Sequence, residues 1–528
     1  MRQHKVRTTP QEENALERPW LAWADWRATL VLVLGLLALR VTYLIFLCEW
    51  DLVQDEAHYW EWARRPALSY YSKGPGVAWS VWLSTTVFGH EEWAIRLPAA
   101  IFSGIGALAL ARLTIDVTSD ERAGLLAAAA WCLVPIYQAE AQIMTIDGPF
   151  VACWVLAAWG GWRAFARHEA GDRPWGLWAL TGLALGVGFL FKYTMLLLPP
   201  GFIIYGALRR RELPWDRRLT AGAVLTAAVM LAAMSPFFIW NARHGWPAVR
   251  HELGHLGAPG GDVPTQWTWP FGGFSAADLL LSQIGVVGPP ALVLIVMAAL
   301  RAVRSRWDEP GKWPHRLLML CCGLVMLGFM FAVSLVSRVE ANWPVAGYAT
   351  LVVLAAELTV IEGPRPRLIS AWRWTIGFGL FTLSLLMFPQ VYAKLPVLGE
   401  YVPMYRIVGA RRLAGRVEDA MALLRERTGE QPFVAAASYG RASQLAYYLP
   451  GRPTVYGAGR YVGRRGSQYD YFEDTDLTDP KLLGRPAVLV LKTPEDWQRE
   501  FRFESIEQIG TDPPIHVARE YGGPKGGE

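Results

Sequence analysis

Long apolar runs separated by short polar segments fill the first three quarters of the chain. A membrane-spanning helix needs about 20 predominantly apolar residues, and eleven runs come close to that length. A shorter run at 76–89 is compatible with an interfacial, re-entrant or additional spanning helix. The pattern predicts a polytopic α-helical membrane protein with about 11–13 transmembrane helices. The eleven runs lie at 28–48, 97–113, 123–139, 149–166, 177–191, 193–208, 219–240, 278–300, 317–337, 343–361 and 374–391.

The pattern changes after about residue 394. "RRLAGRVEDAMALLRERTG" has helical periodicity, "PFVAAAS" is typical of a buried strand, and "YGRASQLAYYL" is again helical. "TVYGAG" and "AVLVLK" are further strand candidates. This alternation predicts a small soluble α/β domain over 394–528. The domain contains no cysteine, so it must fold without disulfides.

Arginine-dense segments alternate with arginine-poor ones, which predicts the orientation in the membrane. With residues 1–27 as a cytoplasmic arm, the basic loops at 209–218, 301–316 and 363–373 all fall on the cytoplasmic side. Residues 28–393 then form the membrane domain, and its large first loop, 49–96, faces the periplasm. An odd number of spans places residues 394–528 on the periplasmic side of a bacterial inner membrane.

Composition supports a membrane domain joined to a soluble one. The 528 residues are 53% hydrophobic and 18% charged, with 26 tryptophans, which is too apolar for an average soluble enzyme. The net charge of +5 is divided into short blocks, so membrane topology explains it better than nucleic-acid binding. The five cysteines lie in or beside apolar runs and suggest neither a disulfide framework nor a metal site.

Charged side chains gather on the predicted outer face from separate parts of the chain. A phosphate leaving group needs cations nearby, and an attacking hydroxyl needs a carboxylate to accept its proton. The set therefore suits transfer from an anionic lipid carrier. Snorkelling to the interface is the alternative for Arg40 and Lys192, and a solvated loop is the alternative for the two adjacent acids. The set comprises Arg40, Asp55, Glu56, Lys73, Asp147, Lys192, Arg338, Glu340 and Asn342.

Several stretches in order resemble the GT-C glycosyltransferases. They are most similar to the bacterial branch related to dolichyl-phosphate-mannose protein mannosyltransferases and the lipid A aminoarabinose transferase. The resemblance implies a GT-C fold, a polyprenyl-phosphate-linked monosaccharide as donor, and inversion at the anomeric carbon. The acceptor would be a lipid, a glycan or a protein, and membrane lipids would be further partners, whereas nucleic acid would not. The stretches are "DEAHYWEWA", "LSYYSKGPGVAW", "IDGPFVACWVLAAW", "FKYTMLLLPPGFIIY", "ANWPVAGYATL" and "LAYYLPGRPTVYG".

The resemblance also implies roles for individual residues. The first-loop Asp-Glu motif matches Asp55 and Glu56, with Asp55 as the catalytic or acceptor-orienting carboxylate, and the second-loop acid matches Asp147. A lysine that contacts the carrier phosphate matches Lys73, although here a glycine separates it from the proline. Arg338 would be a second phosphate contact, and the aromatic rings of the first loop would face the sugar. The remaining matches are Lys192 with Tyr193, Asn342 with the Trp-Pro that follows it, and Tyr71 among those rings.

Two other functions compete with this hypothesis. "HELGH" at 251–255 matches the H-E-x-x-H zinc-protease pattern, but its glycine and the following "GAPGG" disfavour a stable helix. His251 or His255 could instead lie near the donor. A transporter of a lipid-linked sugar would also have many spans and intramembrane charges, yet the chain has no internal repeat of the kind transporters show.

The sequence identifies no cofactor with certainty, and it leaves a divalent metal open with His251 and His255 as candidate ligands. In the soluble domain, "RRGSQYDYF" at 464–472 fits either a site for an anionic glycan or a polar edge of the domain.

Overall fold

The computed structural model describes residues 23–256, 258–262, 275–361, 365–463 and 466–526. The predicted cytoplasmic arm before residue 23 lies outside these ranges, and so do the two arginines at 464 and 465. Helices dominate the chain up to residue 428. They are α1 Trp26–Phe46, α2 Gln54–Ala63, α3 Gly76–Phe88, α4 Glu92–Thr118, α5 Glu121–Leu133, α6 Pro135–Glu140, α7 Asp147–Glu169, α8 Trp175–Phe191, α9 Leu198–Leu208, α10 Arg217–His244, α11 Pro247–His255, α12 Ser275–Val287, α13 Pro289–Asp308, α14 Trp313–Ser334, α15 Val345–Ile361, α16 Pro366–Met387, α17 Pro389–Tyr392, α18 Leu398–Tyr401, α19 Met404–Ile407 and α20 Ala410–Thr428.

Among the described residues, four helical segments are long and apolar enough to cross a membrane. They are Trp26–Phe46, Glu92–Thr118, Arg217–His244 and Pro310–Ser334, and the last of these is α14 preceded by one 3₁₀ turn. A fifth span results if the bent pair α12 and α13 is taken as one. Four shorter apolar helices accompany them, and one of these is α3, which matches the short run at 76–89. Each predicted apolar run therefore coincides with a helix or helix pair, but by length and composition fewer than eleven qualify as spans.

The run predicted as one span at 278–300 is broken. α12 and α13 meet at an angle of 107° around Gly288, whose φ of 86° lies in the left-handed region. Glycine reaches that region without a steric penalty, and the two prolines after it begin a new helix because proline suits the first helical turn. The local sequence "GPP" therefore ends one helix and starts another in a different direction.

A five-stranded mixed sheet forms the centre of the C-terminal domain. The strand order is β2-β1-β3-β5-β4; β1 pairs in parallel with β2 and β3, and β5 pairs antiparallel with β3 and β4. Helices α20 and α21 and the first three strands confirm the elements predicted for this region, whereas α22, β4 and β5 were not predicted. The elements after α20 are β1 Phe433–Ala436, α21 Tyr439–Tyr448, β2 Val455–Gly457, β3 Ala487–Val490, α22 Pro494–Glu500, β4 Ser505–Thr511 and β5 Pro514–Arg519.

The first loop packs between the helical bundle and the sheet domain. Its helix α2 packs along α21, and one continuous hydrophobic core includes residues of the bundle, of α2 and of strands β1 and β3. Polar contacts reinforce this packing at residue 52: its carbonyl accepts from Gln444 at 2.7 Å, and its amide donates to Tyr448 at 2.6 Å. Because these contacts involve backbone groups, they fix the start of α2 against the sheet domain.

Candidate active site

A cavity of about 660 Å³ lies where the first loop, the ends of several bundle helices and the sheet domain meet. Ten of the twelve predicted site residues line it, although they come from distant parts of the chain. These ten are Asp55, Tyr71, Lys73, Asp147, Lys192, Tyr193, His251, His255, Arg338 and Asn342.

Helix α2 presents one face to the cavity. The lining residues Asp55, His58, Tyr59 and Trp62 follow the i, i+3, i+4, i+7 spacing of a single helical face. Asp55 lies in the first turn, where the partial positive charge of the helix N-terminus favours a carboxylate. The hydroxyl of Tyr439, from the sheet domain, contacts Asp55 Oδ1 at 3.4 Å. Asp55 is therefore presented to the cavity at the junction of the two domains.

Asp147, Lys192 and Asn342 form a compact polar cluster. Lys192 Nζ donates to Asp147 Oδ1 at 2.5 Å, and Asn342 Nδ2 donates to Oδ2 of the same carboxylate at 2.9 Å. Asp147 begins α7, and Lys192 sits in the turn after α8, where the helix ends. Both side chains are more than nine-tenths buried. Lys192 therefore does not snorkel to the interface, because it holds Asp147 in a fixed orientation at the cavity wall.

Lys73 reaches across the cavity to the helix of the H-E-x-x-H motif. Its Nζ lies 3.0 Å from Glu252 Oε1. The turn that carries Lys73 is tight, and a Cβ on the next residue, Gly74, would stand 2.3 Å from the carbonyl oxygen of Leu190. This close approach explains why a glycine separates Lys73 from Pro75.

The H-E-x-x-H motif does form a helix, contrary to the sequence-based expectation. α11 spans Pro247–His255, and the side chain of Asn241 accepts from the Ala248 amide at 3.2 Å near the start of the helix. The motif histidines thus lie on one face, with their Nε2 atoms 3.2 Å apart.

The two motif histidines nevertheless do not belong to a larger group of possible metal ligands among the described residues. Across the described ranges, no group of three or more His, Cys, Asp or Glu side chains is arranged to hold a metal ion. The motif glutamate, Glu252, is paired with Lys73. The described residues therefore contain the H-E-x-x-H pattern of a zinc protease, but they supply no third metal ligand beside it.

Three further predicted residues line the cavity in different ways. Arg338 is largely exposed and lies 3.3 Å from Glu340. The ring of Tyr193 packs on Phe237 with centroids 5.0 Å apart. Tyr71 donates from its hydroxyl to Asp262 at 2.8 Å, and its backbone amide donates to Gln468 at 2.6 Å. Arg338 therefore has the freest access to the cavity, whereas the two tyrosines are held by their neighbours.

Glu56 and Arg40 are the two predicted site residues that do not line the cavity. Glu56 is fully buried and accepts two hydrogen bonds of 2.9 Å from Arg96, so it fastens α2 to α4. Arg40 is 3% exposed and donates to Ser103 at 3.2 Å and to the Cys132 carbonyl at 3.3 Å. Both charged groups have their partners inside the protein. Arg40 therefore does not snorkel to the interface, and the site roles of the two residues stay predictions.

Burial favours the neutral form of two side chains at the domain junction. Burial raises the pKa of Tyr469 well above its usual value, so its hydroxyl stays protonated beside Ser443, at 3.0 Å. Burial, then the charges of Arg452 and Arg64, lower the pKa of His90. A neutral His90 can accept at Nδ1 from the Trp60 indole at 3.0 Å.

Comparison with known proteins agrees with the resemblance found in the sequence. Residues 72–240 match the family model of dolichyl-phosphate-mannose-protein mannosyltransferase. Lipid A galacturonosyltransferase RgtD of Rhizobium johnstonii is 28% identical over 345 residues, which cover 64% of this chain and 67% of that protein. An undecaprenyl phosphate-alpha-4-amino-4-deoxy-L-arabinose arabinosyl transferase of Pectobacterium carotovorum is 24% identical over 313 residues, covering 59% of this chain and 54% of that one.

Solved structures resemble this chain over nearly its whole length. The crystal structure of ArnT from Cupriavidus metallidurans in the apo state superimposes with a TM-score of 0.61 at 18% identity, covering 93% of this chain and 97% of that one. The chain therefore shares the fold of this ArnT structure. The archaeal oligosaccharyltransferase AglB from Archaeoglobus fulgidus shares this fold more distantly, with a TM-score of 0.51 at 12% identity, over 93% of this chain and 74% of that one.

Three residues at the cavity were not predicted as site residues from the sequence. Tyr439 and Gln468 come from the sheet domain, and no local pattern marks them. Gln468 does belong to the "RRGSQYDYF" stretch, and Gly466–Gln468 of that stretch reach the cavity. Glu252 was visible only as the candidate base of a zinc protease. Its partner Lys73 is 179 residues away, so no local motif could reveal the pair.

Proposed function

We propose that the protein transfers a monosaccharide from a polyprenyl-phosphate carrier to an acceptor at the periplasmic face of a bacterial inner membrane. One observation carries this proposal: a single cavity gathers carboxylates and cations from the first loop, from α7, and from the segments after α8 and α14. The 660 Å³ of this cavity fall within the range of about 300–1,000 Å³ typical of small-molecule sites.

Lys73 and Arg338 would hold the carrier phosphate. Both cations line the cavity and both are partly or largely exposed within it, so an anionic ligand can reach them. As the bond between C1 of the sugar and the phosphate oxygen breaks, negative charge grows on the departing polyprenyl phosphate. Cations already in position stabilise that charge in the transition state more than in the ground state, which accelerates the reaction.

Asp55 would act on the acceptor. An attacking hydroxyl forms the new bond to C1 from the side opposite the phosphate, and its proton passes to the Asp55 carboxylate. The configuration at C1 inverts, and polyprenyl phosphate is released with the electron pair of the broken bond. If the acceptor oxygen already belongs to an anionic phosphate, no base is needed and Asp55 orients the acceptor instead.

Asp147 would position the sugar. Its two oxygens accept from Lys192 and Asn342, so the orientation of the carboxylate is set before any ligand binds. Such preorganisation removes the cost of ordering the group during the reaction. Tyr71 and Trp62 add ring surfaces to the same cavity.

The relatives suggest which substrates to test first. One is named for transfer of galacturonic acid to lipid A, and the other for undecaprenyl-phosphate-linked aminoarabinose. We therefore propose undecaprenyl phosphate as the carrier and lipid A as the first acceptor to examine. The sugar panel must contain both hexoses and pentoses, because the two relatives differ in that respect.

A transfer assay on the purified protein tests the proposal. The protein is incubated with undecaprenyl-phosphate sugars and lipid A, and mass spectrometry detects the glycosylated product. We expect Asp55→Asn with a hydroxyl acceptor to lower the rate by about 10²–10⁴-fold, the usual contribution of a general base. Lys73→Ala should lower it as well, whereas Glu91→Gln, a change at an exposed acid outside the cavity, should not.

Two results would contradict the proposal. If both Asp55→Asn and Lys73→Ala transferred sugar at the unchanged rate, the proposed mechanism would be wrong. If the protein moved an intact sugar-lipid across vesicle membranes without transferring the sugar, it would be a transporter. A reporter fused after residue 400 tests the orientation separately, since it should be active only in the periplasm.

A further inference from the structure

Glu252 already forms an ion pair with Lys73, the cation that the proposed donor phosphate would need. Its Oε1 lies 3.0 Å from Lys73 Nζ, and the two side chains are 32% and 22% exposed. Both residues line the cavity. A carboxylate and a phosphate carry charge of the same sign, so the cavity contains an internal group that resembles the headgroup of the ligand.

The pairing is built into the fold around Lys73. Glu252 belongs to α11, and that helix is attached to the Lys73 turn at a second point. There, the ring of Tyr71 packs against His251 with centroids 5.0 Å apart, and the Tyr71 hydroxyl donates to Asp262 at 2.8 Å. The helix that carries Glu252 is therefore held beside the Lys73 turn, while the Glu252 side chain itself contacts Lys73.

A second cation of the cavity, Lys192, is balanced differently. Lys192 is buried against Asp147, and Asn342 also binds that carboxylate, so a ligand would have to break a closed network to reach it. Lys73 and Glu252 are both partly exposed, and their pair is open to competition. Partly exposed ion pairs are worth about 1 kcal/mol or less, which an incoming phosphate can replace.

We propose that Glu252 sets the affinity for the carrier phosphate by competing with it for Lys73. In the empty enzyme Glu252 neutralises Lys73; when the donor binds, the phosphate displaces Glu252. After transfer, the carboxylate returns to Lys73 and so favours release of polyprenyl phosphate. This inference rests on the proposed function, because it requires the carrier phosphate to bind at Lys73.

Binding of undecaprenyl phosphate to the purified full-length protein tests the inference. Glu252→Gln keeps the size of the side chain and removes its charge. We expect it to lower the dissociation constant about tenfold, as expected for removing one nearby like charge in a partly exposed site. Glu252→Asp, which keeps the charge, should stay within about twofold of the unchanged protein. Glu91→Gln removes an exposed acid outside the cavity and should leave binding unchanged.

Kinetics provide a second readout. In the transfer assay, Glu252→Gln should lower the apparent KM for the donor and strengthen inhibition by added undecaprenyl phosphate. Glu252→Ala repeats the test, and thermal unfolding in detergent establishes that each variant is folded. Equal or weaker binding of both neutral variants, with folded protein, would overturn the inference.

The two proposals fail in different ways. If the unchanged protein does not bind undecaprenyl phosphate, or if Lys73→Ala binds it equally well, the proposed phosphate site is wrong. If Lys73→Ala abolishes binding while Glu252→Gln leaves it unchanged, only the competition by Glu252 is wrong.

Discussion

Asp55 and Glu56 are neighbours in the sequence, yet they lie on different faces of α2. Asp55 is exposed and lines the cavity together with residues three, four and seven positions later. Glu56 is completely buried and takes hydrogen bonds from Arg96 and from the Met144 amide at 3.0 Å. One face of the helix is open to a ligand, and the other is closed by the protein itself.

The comparison separates two uses of charge in the same short helix. Removing the partners of a buried carboxylate that accepts several hydrogen bonds costs much unfolding free energy. Such a carboxylate therefore keeps its partners. A carboxylate at a cavity can exchange partners, which a reaction requires. Burial and the number of existing partners, more than residue type, distinguish the two faces.

The largest effect on stability is expected on the closed face. Glu56→Gln would leave the Arg96 guanidinium buried without its countercharge, which costs about 3–5 kcal/mol of unfolding free energy. Asp55→Asn should change stability by less than about 0.5 kcal/mol, because the site is exposed. Thermal unfolding of both variants in detergent measures the difference. A Glu56→Gln protein that is as stable as the unchanged one but inactive would assign Glu56 to the active site.

A smaller effect is expected where Asn342 supports Asp147. Asn342→Ala removes one hydrogen bond to a charged group, which is worth about 1.5–3 kcal/mol, so the transfer rate should fall by about 10–100-fold. Lys192 remains to hold the other oxygen. Steady-state kinetics measure the change, and an unaltered melting temperature shows that the fold is intact. An unchanged rate would mean that Lys192 alone orients Asp147.

A weaker effect is expected from the sheet domain's contact with Asp55. Tyr439→Phe removes the hydroxyl that contacts Asp55 and keeps the ring, whose centroid is 4.6 Å from that of His58. We expect kcat to fall about 3–10-fold, as for loss of one hydrogen bond, with the KM for the donor unchanged. Tyr456→Phe, in β2 and outside the cavity lining, is the matched control. Equal effects of the two variants would contradict a positioning role for Tyr439.

The smallest effect concerns pH and the closed face of α2. Because the pKa of His90 is lowered from 6.5 in the folded protein, the unfolded chain binds more protons just below pH 6.5. Stability should therefore fall as the pH falls through this region, since protonation removes the acceptor of the Trp60 indole. His90→Asn offers an oxygen acceptor that does not titrate. Melting curves from pH 7.5 to 5.5 should be flatter for this variant, and parallel curves would contradict the prediction.

The sequence was informative wherever a feature depends on local pattern. Apolar runs marked the helices, and the single lysine in the turn after α8 indicated a charge at the end of a span. Features that join distant segments were harder to predict. The Glu56 carboxylate looked equivalent to Asp55 until the position of Arg96 was known. Glu252 looked like a metalloprotease base because the motif is local while its partner Lys73 is not.

The sheet domain illustrates the same limit. Helices α20 and α21 and strands β1 to β3 were predicted, because their periodicity or apolar character is clear over a few residues. β4 and β5 were not predicted: most of β4 is exposed and its composition resembles that of a polar loop, whereas β5 is mostly buried but is interrupted in sequence pattern by its proline and histidine. Only the fold brings Tyr439 and Gln468 to the cavity.

The hydrogen bond between the Tyr71 amide and Gln468 spans 397 residues of sequence. At the usual rate of about 5–20 residues per second, a ribosome needs roughly 20–80 s to make the chain between these two partners. The cavity wall that includes Gln468 cannot form during that time. The newly made bundle therefore enters the membrane without a finished active site, and the order of synthesis delays activity until the last domain has folded.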